Sequence, residues 1–333
     1  MAATVSATRE ARQLEEQGYC VFPAVYSAEL VGQLRSAIDE GGLLAPDAIA
    51  AYEANPFQGI WGLQDLSASS ADASRVIPRL LSWEPALAAL RQAGVTNPRF
   101  TSGYSLSKPG GGPALYWHRD WHYWSSEPES AMPRATQLFL MLYLVDTTPT
   151  NGCLKVLPRS HLSRVGLDDL IPVESARAHG GRNNWGEDLA KEPALANEVQ
   201  ELVASWPSSV DVAVKAGDLV IGDSRMFHAA HANCSDKRRT CLTMWYVDWD
   251  QCTPELRAAY AGNHGSGFAG EVDSRPCGIE CASEIERALL RPLCPAVVGV
   301  DEMAAEAVVP NRMMGEWGRR PIVPTAGETA ARL

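Results

Sequence analysis

Residues 115–124 read Leu-Tyr-Trp-His-Arg-Asp-Trp-His-Tyr-Trp, which sets three metal-capable side chains at alternate positions. In an extended strand successive side chains point to opposite faces. His118, Asp120 and His122 then share one face, and Trp117, Arg119, Trp121 and Tyr123 the other. A His and a carboxylate two apart, completed by a distant second His, form the 2-His-1-carboxylate triad that holds non-haem Fe(II) by one face and leaves positions open. His-x-Asp alone fits a hydrogen-bonded histidine in an aromatic-rich strand equally well.

The second histidine has to come from elsewhere in the chain. His228 is the best candidate, because it ends the apolar stretch Met226-Phe227-His228 behind a Gly222-Asp223 turn and precedes the small Ala229 and Ala230. His231 is its rival. Beyond them Arg238 and Arg239 open the last long strand. An Arg at the mouth of a sheet interior is costly unless it meets a carboxylate, which its planar fork binds in bidentate fashion. That suggests an anionic cosubstrate, although an Arg-Arg pair also suits a solvated turn.

The elements that must position these groups read as follows. Gln17 to Pro23 predicts a short strand entered through Gly18 and stopped by Pro23. Ser27 caps a helix with Leu30, Val31, Leu34 and Ile38 on one face, ended by Gly41-Gly42. Residues 43–74 give no assignable element, and a second helix spans 86–93 behind Pro85. Strands are expected at 99–107, through the His118 stretch, and at 137–145, the last apolar on both faces and so buried and central. Lys108 to Pro113 reads as a loop between the first two. Asp146 to Gly152 is turn chemistry, and Cys153 to Pro158 the return strand of a hairpin-like unit. A long polar segment at 164–208, with a helix around 194–202, is either a lid or solvated decoration. Strand character resumes at 210–214, 218–223, 226–228 and 239–247. Many short strands after helices, without βαβ alternation, predict a mainly β sandwich or barrel with flanking helices. One domain is expected over 1–333: a helical flank at 1–95, a β core at 96–250 and a peripheral segment at 251–333.

Composition narrows the function. An apolar fraction of 46% and a charged fraction of 21% suit a globular protein, and no apolar run is long enough to span a bilayer. With a formal net charge of -11 and no Lys/Arg run, nucleic acid is not an expected partner. Residues 1–10 lack a basic region leading into an apolar core, so an intracellular protein is expected. Ala331-Arg332-Leu333 fits a loosened peroxisomal address. The eight cysteines are scattered and never form Cys-x-x-Cys, which argues for reduced thiols over a disulfide frame. Cys277, Cys281 and Cys294 form at most a weak zinc set.

The pattern as a whole resembles the phytanoyl-CoA dioxygenase family of Fe(II)- and 2-oxoglutarate-dependent oxygenases over about residues 12 to 250. The similarity runs through Gln17–Pro23 with its following helix, through His118-Arg119-Asp120-Trp121-His122-Tyr123, and through Asn151-Gly152-Cys153-Leu154-Lys155-Val156-Leu157-Pro158-Arg159-Ser160-His161. It ends with His228, Asn233, Ser235 and Arg239. One departure is Arg159, which stands where a Gly is usual and leaves the conformation of that loop open.

The resemblance implies a double-stranded β-helix (jelly-roll, cupin-like) core. It implies Fe(II) on His118, Asp120 and His228, with Arg239 on the distal carboxylate of 2-oxoglutarate and Arg238 as runner-up. Tyr104 and Met141 fall where the family lines the cosubstrate pocket, and both also suit ordinary core. His122 is expected to support the site or meet substrate, and His161 to be structural. O2 is the second cosubstrate, succinate and CO2 are released, and hydroxylation of an unactivated C–H is the default outcome, with desaturation, cyclisation or epimerisation as variants. The expected substrate is a small or medium metabolite bearing a carboxylate, with Arg119, Arg159, Arg177, Arg182 and Arg225 available to an anion and Trp117, Trp121, Trp124 and Trp245 crowding the site. Two rival readings are a non-redox zinc enzyme and a non-catalytic metabolite-binding protein on the same barrel.

Overall fold

The computed structural model describes residues 8–40, 59–112, 114–118, 120, 135–162, 209–254, 257 and 275–295. The expected segment 164–208, Arg119, Trp121, His122, Trp124, Arg177, Arg182 and the tripeptide 331–333 lie outside the described residues. No helix among the described residues is long and apolar enough to cross a membrane.

Two antiparallel sheets form the core. The larger has six strands: β1 (Tyr19–Phe22), β2 (Gly59–Gly62), β3 (Pro98–Lys108), β5 (Gln137–Tyr143), β8 (Leu219–Asp223) and β10 (Arg239–Asp248), in the order β1-β8-β5-β10-β3-β2. The smaller has four: β4 (Leu115–His118), β6 (Leu154–Val156), β7 (Val210–Val212) and β9 (His228–Ala230), in the order β4-β9-β6-β7. This is the jelly-roll, cupin-like barrel with flanking helices.

The central strands are buried on both faces, and the period of two sorts their side chains into two cores. On β5, Leu138, Leu140 and Leu142 pack outward with the helices, while Phe139, Met141 and Tyr143 pack inward between the sheets. On β10, Leu242, Met244 and Tyr246 face the helices, and Cys241 and Trp245 face inward. The helical layer is α1 (Arg9–Gln17), α2 (Ala28–Arg35), α3 (Leu63–Ser69), α4 (Ala73–Leu81), α5 (Glu84–Gln92) and α6 (Glu284–Leu290). Ser27 caps α2 as expected, its Oγ accepting from the Leu30 amide at 3.1 Å. Thr8 does the same for α1 through the Ala11 amide.

Several expectations are corrected. Cys153–Pro158 is not the return strand of a hairpin with β5, since β6 lies in the other sheet between β9 and β7. The seven residues 146–152 carry the chain across the barrel instead of reversing it beside β5. His228 begins β9 and does not end a strand, because Met226 closes a turn on the Asp223 carbonyl at 2.9 Å. Strand β4 stops at His118, and Asp120 follows it with its amide on the Ser224 carbonyl at 3.0 Å. Lys108 belongs to β3, not to the loop. The segment 43–74 supplies β2, α3 and the start of α4, and the expected helical flank contributes two strands. Residues 275–295 are not peripheral, because Cys277, Ile279, Leu290 and Leu293 join the helix-side core. There Cys277 and Cys294 are disulfide-bonded, with Cα atoms 5.1 Å apart. The chain folding back around α6 brings them together without any Cys-x-x-Cys spacing, which removes the zinc set.

The loop after β6 accounts for the unusual arginine. Arg159 is exposed and adopts φ 71°, the left-handed region that a Cβ disfavours and glycine does not. Its amide donates to the Gln17 carbonyl at 3.0 Å, which fixes that conformation. Arg159→Gly should therefore raise unfolding stability by about 0.5–1 kcal/mol, whereas Arg159→Ala, which keeps the Cβ, should not. Urea midpoints of the two variants check this; equal midpoints would show that the loop carries no strain.

Candidate active site

At one end of the inter-sheet space β4 and β9 pair, with His118 and His228 as direct backbone partners. The two His-bearing strands are thus neighbours in the smaller sheet, and Asp120 lies two residues past the end of one of them. Asp120 and His228 are both buried, and His228 Nε2 lies 3.6 Å from Asp120 Oδ2. Two donors bound to one ion at about 2.1 Å each sit roughly 3–3.6 Å apart, so this pair has the separation of neighbouring ligands. The other ring nitrogen, Nδ1, is 3.1 Å from the Met226 carbonyl. A carbonyl accepts only from an N–H, so Nδ1 carries a proton and Nε2 is the ring atom turned toward Asp120.

Two aromatic residues hold these groups. The Trp245 indole N–H donates to Asp120 Oδ2 at 2.9 Å, and Phe139 packs on the His228 ring with centroids 4.8 Å apart. Phe139 in turn lies over Gly222 on the neighbouring strand, where any Cβ would meet the ring at 2.0–2.6 Å. Tyr104 packs edge-on against Trp245 at 5.5 Å, and burial pushes its phenol up to about 12. Met141 is on the inner face of β5 next to Tyr143, whose hydroxyl lies 4.0 Å from its sulfur.

Arg239 starts β10 on the inner face, the one that carries Cys241 and Trp245. It is 2% exposed, and its Nε and Nη2 have no hydrogen-bond partner among the described residues. Its guanidinium lies 5.4 Å from the centre of the Tyr143 ring. An orphaned buried guanidinium is costly, so this arrangement suits an anion brought from outside. Backbone approaches it closely at Gly152. Gly152 has φ 92°, and a Cβ there would lie 3.4 Å from both Arg239 Nε and Lys108 Cδ. Arg238 takes the opposite side of the strand, where Nη1 donates to Ser107 Oγ at 3.2 Å.

Other candidates go elsewhere. His231 Nε2 makes a direct 2.6 Å contact to Asp211 Oδ1 on β7, and Cys153 Sγ completes a group within 4.8 Å. That contact is a hydrogen bond, shorter than two ligands sharing an ion, and burial holds the Cys153 thiol up at about 11. Arg225 is not offered to a ligand: it is buried and forked onto Asp223, with Nη2 to Oδ2 at 2.6 Å. His161 is buried, with Nε2 3.0 Å from the Glu15 carbonyl and Nδ1 beneath Gly18. The residue before it, Ser160, accepts the Phe227 amide at 2.9 Å, which ties this turn to the start of the His228 strand. Asn233 organises the turn into β10, its amide donating to the Pro109 and Lys237 carbonyls while its oxygen accepts from Ser235. Sequence reasoning missed Trp245 as the partner of Asp120 and Lys108 as the neighbour of Arg239. The first depends on a contact between residues 125 apart. The second was signalled by Pro109, since a residue before proline is pushed toward extended backbone.

A two-sheet antiparallel barrel with a His–Asp pair at one end and an unpartnered buried Arg within is the architecture of a jelly-roll oxygenase. Residues 14–241 match the family model described as phytanoyl-CoA dioxygenase (PhyH), and the chain belongs to that family of Fe(II)- and 2-oxoglutarate-dependent oxygenases. An ectoine dioxygenase from Sphingopyxis alaskensis is 27% identical over 244 residues, covering 69% of this chain and 72% of the relative. An L-proline trans-4-hydroxylase from Streptomyces griseoviridis is 26% identical over 177 residues, covering 53% and 64%. The solved structure of AviO1 from Streptomyces viridochromogenes shares the fold, with a TM-score of 0.51, 17% identity and coverage of 75% of this chain and 99% of that one.

Trp245→Phe keeps an aromatic side chain, although a smaller one, and removes the donor to Asp120. Losing such a supporting bond should weaken iron binding by about 10–100-fold with little change in melting temperature. Calorimetric titration with Fe(II) under argon checks this, and unchanged affinity would contradict the positioning role.

Proposed function

We propose that His118, Asp120 and His228 hold Fe(II) and that Arg239 binds the distal carboxylate of 2-oxoglutarate, in a chain that folds as one oxygenase unit. Tyr104 and Met141, both on the inner face, line the cosubstrate pocket in this reading. The reaction is hydroxylation of an unactivated C–H in a small or medium carboxylate-bearing metabolite. Substrate R–H, O2 and 2-oxoglutarate give R–OH, succinate and CO2. One oxygen atom enters the product and the other enters succinate. Bound iron supplies the activation of O2 that is coupled to decarboxylation.

The observation that carries the reading is the orphaned, buried Arg239 inside the same barrel as the Asp120–His228 pair. Each surrounding residue has a stated task. The Met226 carbonyl fixes the His228 tautomer, Trp245 orients Asp120, and Phe139 holds the His228 ring in place. Met141, Val156, Val212, Val220 and Met226 give the interior an apolar lining that keeps water from the reacting centre. The substrate class is supported by the relatives named for ectoine and L-proline, both small molecules.

Asp120→Ala and His228→Ala should each reduce substrate-dependent succinate release to background with the fold retained by circular dichroism; full activity in either would remove that ligand from the assignment. Arg239→Ala should raise the KM for 2-oxoglutarate by about 10–100-fold and leave the substrate KM within a few-fold. The same effect from Arg238→Ala instead would move the anchor to the other arginine. A metabolite screen scored by succinate should find turnover among carboxylate-bearing compounds; turnover confined to compounds without one would contradict the substrate class.

A further inference from the structure

Lys108 is the direct cross-strand partner of Arg239. Side chains opposite one another in an antiparallel pair lie on the same face, and like charges placed so repel. Both are also withdrawn from water, Lys108 at 1% and Arg239 at 2% exposure. Lys108 Nζ donates to the His231 carbonyl at 2.6 Å, which uses one of its three donors. No salt bridge to either residue exists among the described residues. Gly152 faces both side chains: the point where its Cβ would stand is 3.4 Å from Arg239 Nε and from Lys108 Cδ and 3.2 Å from the His231 carbonyl.

From this juxtaposition we infer that Lys108 is a second cationic contact for the cosubstrate, gripping the distal carboxylate of 2-oxoglutarate together with Arg239. The inference rests on the proposed function and deepens it. A carboxylate has two oxygens and about four acceptor positions, so it can take the guanidinium fork and an ammonium at once. An anion seated there cancels the repulsion that the two cations otherwise impose on the barrel.

The pairing has a proton signature. Burial first, and the Arg239 charge second, bring Lys108 down to about 7. Among the described residues, the other titratable groups around this pair are the Tyr143 phenol on β5, the Cys241 thiol on β10 and the Cys153 thiol before β6, all pushed up by burial, and His231, which is paired with Asp211. Above pH 7 much of Lys108 is therefore neutral before binding. A bound carboxylate favours the charged form, so binding takes up a proton, and affinity for 2-oxoglutarate falls as pH rises above about 7.

The test is isothermal calorimetry of the Mn(II)-loaded protein at about pH 8, in two buffers of different ionisation enthalpy. 2-Oxoglutarate is compared with pyruvate, which has the same keto acid end and no distal carboxylate. Wild type should bind 2-oxoglutarate with net proton uptake and pyruvate with none. Lys108→Met should lose about 10–100-fold in affinity for 2-oxoglutarate, lose the uptake, and bind pyruvate as wild type does. Wild-type binding of 2-oxoglutarate without proton uptake, or equal affinities in wild type and Lys108→Met, would overturn the role of Lys108 alone. Failure of wild type to bind 2-oxoglutarate would overturn the cosubstrate reading itself. The proton measurement needs no variant, so a Lys108→Met protein that does not fold leaves the inference open to refutation.

Discussion

The structure depends on one constraint: strands β5, β8 and β10 are buried on both faces, so every inward side chain must belong to the apolar packing or have a partner. Most inward positions satisfy the first condition, including Phe139, Met141, Val220 and Cys241. Asp120 and His228 satisfy the second through Trp245 and the Met226 carbonyl. Arg239 satisfies neither among the described residues, which makes its environment the part of the barrel that calls for a ligand. Desolvating a guanidinium costs several kcal/mol in an apolar interior, and the fold carries that cost only where an anion returns it.

The turns of the barrel serve the same end. Asn151 closes its turn through Oδ1 on the Thr148 amide at 2.7 Å and Nδ2 on the Asp146 carbonyl at 2.8 Å. This delivers Gly152 close beside Arg239 and Lys108. Asn233, bridged to Asn151 across the barrel end, fixes the start of β10 and with it the direction of Arg239. Farther along, Ser160 and Arg159 connect the first strand region to Phe227, immediately before His228.

Much of this was legible in sequence because it follows short-range rules. A run at 137–145 that is apolar on both faces reads as a central strand, and Ser27 reads as a cap. What was not legible depends on crossings between sheets. Residues 146–152 look like a hairpin turn, yet they change sheets, and no local signal separates the two. The Trp245–Asp120 bond and the Cys277–Cys294 disulfide likewise join residues that only the folded topology brings together. Lys108 was hidden by a loop reading that its own Pro109 argues against.

The measurement that bears most directly on the central claim is an anaerobic titration of the apoprotein with Fe(II) and 2-oxoglutarate, following the weak visible charge-transfer band of the chelate. The account predicts that the band develops in wild type, that it fails to form in His228→Ala, and that it needs far more 2-oxoglutarate in Arg239→Ala. No band in wild type, or a band that forms at the same 2-oxoglutarate concentration in Arg239→Ala, would contradict it.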